Sequence, residues 1–182
     1  MGDAHAAGAA ESELGADLVG AISINVDGLD VTKGFLAQAK SARRDGLRYR
    51  PPVGSDYSHW LYRGPLLLQE SGSVTITRPS PQLRRQCNSM LRRTPDCFVV
   101  VYHPNQFAVV AASSVMAASN RQPYSRRVDL GTKRLDDFFV HLLDSFIGDR
   151  SISASTIHEI NELASQERTR AGLLLSIQTA DL

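Results

Sequence analysis

The chain has 182 residues, 42% of them hydrophobic, and no apolar run near the roughly 18 residues of a membrane-crossing helix, which points to one domain with a real core and no membrane role. The opening MGDAHAAGAA has no basic residue ahead of an apolar stretch, so a secretory leader is not expected and a cytoplasmic location is. A net charge of +1 hides three blocks: residues 1–30 hold six acids and no Lys or Arg, residues 31–134 hold 17 Lys plus Arg against five acids, and residues 135–182 hold three Arg against eight acids.

A basic middle of this strength can attract a polyanion through counterion release, although charge runs are also ordinary solvated surface. Cys87 and Cys97 lie ten positions apart with no metal-ligand companions, which argues against a disulfide scaffold or a zinc site and for buried thiols.

In chain order, DLVGAISINVDG is rich in β-branched and apolar residues and closes on Asp27-Gly28, which predicts a strand and a turn. A second run, TKGFLAQAKSA, follows Gly28-Leu29-Asp30, close enough to pair with the first as an antiparallel hairpin. Residues 43–79, broken by Pro51-Pro52, Gly54, Gly64-Pro65 and Gly72, predict an irregular insertion, in which Trp60 is a core anchor or a base-stacking surface. Next, Leu83, Cys87, Met90 and Leu91 recur at helical spacing behind Ser80-Pro81, predicting a helix with its arginines largely on other faces.

CFVVVYH and QFAVVAASSV, joined at Pro104-Asn105, predict a second hairpin of buried strands. Leu135, Phe138, Phe139, Leu142, Leu143 and Phe146 form a 3.6-period stripe, the mark of a helix facing the core or a dimer partner. Thr156 with Glu159 has the form of a capping box and opens a last, shorter helix. His103, His141 and His158 lie far apart without partners at ligand spacing and are expected to be surface or locally bonded residues.

The chemistry sits at the head of the first strand and the end of the second. Strand residues two apart share a face, so Gln38 and Lys40 point together, and an antiparallel neighbour can bring Asp17 beside them. A carboxylate and an amide oxygen suit Mg²⁺, which prefers oxygen ligands and is often held by one or two carboxylates plus substrate phosphate. A lysine beside it can orient the attacking water or stabilise charge building on phosphorus. The same residues are also common solvent-facing strand ends.

The stretch ESELGADLV, a hairpin, then GFLAQAKSA resembles the core of the PD-(D/E)xK nuclease superfamily, and its QAK form is similar to the Mrr-like restriction endonucleases. The resemblance covers residues 11–42. It implies Asp17 and Gln38 as metal ligands, Lys40 as the catalytic lysine, and a further ligand from a preceding helix, for which Glu11 and Glu13 are the candidates. The order helix, strand, strand over residues 80–115 agrees with that core, whereas the 37 residues 43–79 are an addition to it.

The expected fold is therefore α/β, a restriction-endonuclease-like mixed sheet of about four strands flanked by helices. Residues 1–150 would form the nuclease domain, and residues 151–182 a C-terminal helical appendage packed on it. The expected activity is Mg²⁺-dependent endonucleolytic hydrolysis of DNA in restriction or phage defence, with Mn²⁺ able to substitute. Arg43, Arg44, Arg84, Arg85 and Gln86 would grip the nucleic acid. A homodimer fits the need for two cuts, and a partner protein of a defence system is a further candidate. The alternative is a non-catalytic module that binds nucleic acid or a partner on the same fold.

Overall fold

A computed structural model describes residues 15–50, 73–103, 106–120, 127–144 and 147–178. Strands β1 (Leu18–Val26) and β2 (Leu29–Ser41) form the expected hairpin around Gly28, whose φ of +76° is the left-handed conformation that glycine adopts freely. The chain then makes β3 (Leu47–Arg50) and β4 (Ser73–Ile76), α1 (Pro81–Arg93), β5 (Cys97–His103), β6 (Gln106–Ala111) and α2 (Ala112–Ser119). It closes with β7 (Val128–Asp129), β8 (Lys133–Arg134), α3 (Leu135–Leu143), α4 (Ile157–Gln166) and β9 (Ala171–Gln178).

The main sheet is mixed and runs β8-β6-β5-β2-β1-β9. β2 lies parallel to β5 and β1 parallel to β9, while β1–β2, β5–β6 and β6–β8 are antiparallel. Six strands thus replace the four expected. The two additions could not be read from pattern: β8 is only two residues long, and β9 carries a run of leucines that alternation does not mark. Residues 151–182, expected as a helical appendage, instead supply α4 and a strand of the main sheet.

Two cores lie on the two faces. On one, Val19, Ala21, Leu36, Val99, Val101 and Val110 pack against Leu83, Cys87 and Met90 of α1, with Val115 of α2 and Ile160 and Leu163 of α4 in the same cluster. On the other, Phe138 of α3 sits edge-on to Phe35 and Phe98 at centroid distances of 4.9 and 4.8 Å, with Ile22 and Leu142 beside them. From Leu135 to Leu143 the stripe is therefore core, Phe138 and Leu142 buried and Leu135, Phe139 and Leu143 packed against them, while Phe146 lies outside the described residues; each fully buried apolar side chain contributes roughly 1.5–3 kcal/mol.

Both ends of the expected insertion are ordered: β3, β4 and β7 form a small antiparallel sheet whose Leu47, Val74 and Ile76 join the first core, while residues 51–72, with Trp60, lie outside the described residues. The run ASSV (residues 112–115), expected to prolong a strand, begins α2. Thr156 and Glu159 close a full capping box on α4.

What positions the site is the crossover from β2 to β5. Because β1 is antiparallel to β2, its start lies beside the end of β2. The turn after β2 also meets the beginning of α1, where Ser80 N–H donates to the Asp45 carbonyl at 3.1 Å. The head of β1, the tail of β2 and the N-terminus of α1 therefore converge at one end of the sheet.

Candidate active site

Asp17 stands one position before the β1–β2 ladder, opposite Gln38 in register, and its N–H donates to the Ala37 carbonyl at 2.8 Å. Its carboxylate Oδ2 accepts the Gln38 Nε2–H and the Ala39 backbone N–H, the latter at 2.9 Å. The Asp17 carbonyl accepts N–H groups from Arg170 and Ala171 at 3.0 and 3.2 Å, tying the site to the start of β9. Gly15 lets the chain reach this position. Its φ is +84°, and an added Cβ would lie 2.4 Å from the Gln86 carbonyl oxygen, so only glycine passes beneath α1 here.

Gln38 and Lys40 lie on the α1 face of β2 and are 4% and 9% exposed, unusual burial for an amide and an ammonium on a strand end. Lys40 Nζ pairs with Asp45 Oδ2 at 3.4 Å. Asp45, which sequence reasoning missed, does three things. Its left-handed backbone (φ +57°) turns the chain out of β2, its Oδ1 accepts the Ser80 hydroxyl at 2.5 Å, and its other oxygen holds the lysine. Ser80 Oγ in turn accepts the Leu83 N–H at 3.0 Å, capping α1. One aspartate thus locks a helix start to the candidate catalytic lysine, a link that depends on residues 35 apart.

Between α1 and the sheet, Cys87 on the inner face of the helix and Cys97 at the start of β5 are free and buried. Burial pushes the Cys87 thiol up to about 12, with Cys97 adding to the rise and the Lys40 ammonium opposing it. Burial and the nearby Asp96 also push Cys97 up to about 12, so both are inert hydrophobes at neutral pH.

The basic residues divide. Arg43 and Arg44 after β2, Arg48 and Arg50 in β3, and Arg84 and Arg85 on the first half of α1 are exposed around this end of the sheet. Gln86 is different: expected to touch nucleic acid, it is 5% exposed, and its Oε1 is buried without a hydrogen-bond partner. It shares the inner face of α1 with the buried Leu83, Cys87 and Met90, turned away from the exposed Arg84 and Arg85. Glu11 and Glu13 lie outside the described residues.

Two features could not be anticipated. His103 ends β5 on the same face as Lys40, half-buried, its ring 5.5 Å from Tyr49 and its Nδ1 buried without a partner. Tyr102 and Phe107, opposed across β5 and β6, are 46% and 54% exposed on the other face. A hollow of about 230 Å³ between the start of β1 and the second half of α1 is lined by Ala16, Leu36, Ser89, Arg92, Arg93 and Glu167, with Arg93 Nε bonded to Glu167 at 2.6 Å.

For a hard cation, the described donors are one carboxylate, Asp17, with the Gln38 side-chain amide beside it and the orphaned Gln86 oxygen on the adjoining helix. No cluster of three His, Cys, Asp or Glu occurs among the described residues. A single carboxylate with neutral oxygens fits Mg²⁺, which relies on water and substrate phosphate for the rest of its shell. It does not fit zinc, which takes three or four protein ligands of the His, Cys and carboxylate kind. No helix of the described residues is long and apolar enough to cross a membrane. Comparison with family models, with curated proteins and with solved structures returned no match.

Proposed function

We propose that the chain is a Mg²⁺-dependent endonuclease acting on DNA, with a restriction-endonuclease-like core and a role in restriction or phage defence. The observation that carries this reading is the grouping of Asp17, Gln38 and Lys40 on one sheet face, beside arginines exposed at the same end. Fold alone would not specify an activity.

Mg²⁺, when bound, supplies Lewis-acid stabilisation of the scissile phosphate and a water of lowered pKa. Asp17 and Gln38 would hold it, with Gln38 turning its amide so that Oε1 rather than Nε2 faces the site; side-chain amides exchange these two atoms by a half-turn. Lys40, held by Asp45, donates hydrogen bonds to a non-bridging phosphate oxygen and balances the negative charge that grows in the transition state. Arg43, Arg44, Arg84 and Arg85 neutralise neighbouring phosphates and fix the register of the duplex.

A second reading has its own support. With Gln38 Nε2 already donating to Asp17, and with one carboxylate among the described donors, the same surface would serve as a non-catalytic nucleic-acid-binding module. Incubating supercoiled plasmid with Mg²⁺, with and without chelator, separates the two. A nuclease nicks or linearises the plasmid only with free metal, whereas a binding module retards it in a gel and leaves it intact in either condition.

A further inference from the structure

The two edges of the main sheet are built differently. One ends in β8, two residues long and made of Lys133 and Arg134, a short charged edge that discourages further pairing. The other ends in β9, whose eight residues, AGLLLSIQ, contain no charge and no proline. Among the described residues β9 pairs only with β1, in parallel, along its whole length, so its outer edge presents to them a row of unpaired backbone donors and acceptors. Its side chains are also unusually bare. Leu174 packs against the core, but Leu173, Leu175 and Ile177 are 39%, 38% and 37% exposed. All three lie on the face of Gly20, Ile22 and Ile24, so they form one apolar row along the strand.

We propose that this edge pairs with the same edge of a second copy, β9 running antiparallel to β9 about a two-fold axis and joining two six-stranded sheets into one of twelve. Charge and symmetry favour this occupant. A two-fold axis sets like residues against like, so a charged residue near it would repel itself, and β9 has none. With Leu175 on the axis, Leu175 faces Leu175 and Leu173 faces Ile177, so the apolar row meets its own complement. A non-self partner would need an equally neutral strand of the same alternation. The contact is one strand wide and small beside the roughly 1,200–2,000 Å² of a stable interface, so association depends on concentration.

This inference stands apart from the nuclease reading. Should both hold, the axis is normal to the sheet and the two Asp17 positions fall on the same side. At about 3.3 Å per residue along a strand and about 4.8 Å between strands, they are on the order of 35 Å apart, close to one turn of B-form DNA.

The test is sedimentation equilibrium of the full chain from about 1 to 300 μM, with Leu175→Lys and Leu175→Cys variants. The wild type is expected to pass from monomer to dimer in that range. Leu175→Lys, which sets two ammonium groups against each other, should weaken dimerisation at least tenfold while keeping the circular dichroism spectrum and melting temperature of the monomer. Leu175→Cys should cross-link to itself under mild oxidation, giving a covalent dimer, since Cys87 and Cys97 are buried. A wild type that stays monomeric throughout, a dimer that Leu175→Lys leaves unchanged, or failure of Leu175→Cys to cross-link within an established dimer would overturn the proposal. Plasmid cleavage by a strictly monomeric chain would sink it and leave the nuclease reading intact.

Discussion

At the residue scale, Lys40 depends on its neighbour. An ammonium held at 9% exposure needs a counter-charge, and Asp45 supplies it at 3.4 Å. Lys40→Ala should reduce cleavage by on the order of 10² or more, the usual scale for a lost catalytic charge, and leave DNA affinity within about twofold. Asp45→Asn keeps an oxygen for Ser80 but loses the ion pair, and is expected to cost roughly tenfold in rate. The double variant should be no slower than Lys40→Ala, because Asp45 acts through the lysine; independent, multiplying losses in a plasmid-cleavage time course would contradict this. The placement of Asp17 opposite Gln38, with Lys40 two residues along the same face, was legible in sequence because strand alternation and the Asp27-Gly28 turn set that register. Asp45 was not. Its role requires a left-handed turn and a serine 35 positions away, and neither leaves a local pattern.

At the element scale, α1 was legible almost to the residue, from Ser80-Pro81 at its start and apolar spacing along it. Spacing alone could not show which polar residue turns inward, and Gln86 does. Ser80→Ala should lower stability by about 1 kcal/mol, the usual cost of an N-cap, and in addition slow cleavage through Asp45. Replacing Arg84 and Arg85 by Gln should weaken DNA binding without shifting the melting temperature, since both are exposed. Unchanged gel-shift affinity would remove α1 from the interface.

Strand β2 carries a different liability in Lys33, 3% exposed on the opposite face, its Nζ without a hydrogen-bond partner. Burial lowers its pKa from 10.5, with Arg150 adding to the fall and Asp96 and Asp144 opposing it. Between that lowered value and 10.5 the unfolded chain binds more protons than the folded one, so this residue makes stability rise with pH across the window. Lys33→Met should flatten the slope and stabilise the protein at neutral pH by about 1–3 kcal/mol. Urea melts at pH 7 and pH 10 read both effects, and a variant no more stable than wild type at pH 7 would show that the ammonium is not strained.

At the scale of the whole molecule, the basic middle block predicts phosphate neutralisation. Its DNA affinity should fall with salt at a log–log slope on the order of −3 or steeper, as fluorescence anisotropy would measure; a flat response would contradict an electrostatic grip. The α/β class and the central hairpin followed from hydrophobic period, but the number of strands did not. β9 joins the sheet beside β1 although more than 140 residues separate them, a long-range pairing that no window of sequence records. The central claim is that Asp17, Gln38 and Lys40 form a metal-dependent phosphodiesterase site. Its most direct test is one plasmid-cleavage time course in Mg²⁺ comparing wild type, Asp17→Ala and Gln38→Glu, each with a gel shift for binding. The predicted result is cleavage by wild type, retained or faster cleavage by Gln38→Glu, which adds a carboxylate for the metal, and none by Asp17→Ala, with all three binding DNA alike. Intact plasmid with wild type and Gln38→Glu in both Mg²⁺ and Mn²⁺, despite normal binding, would contradict it.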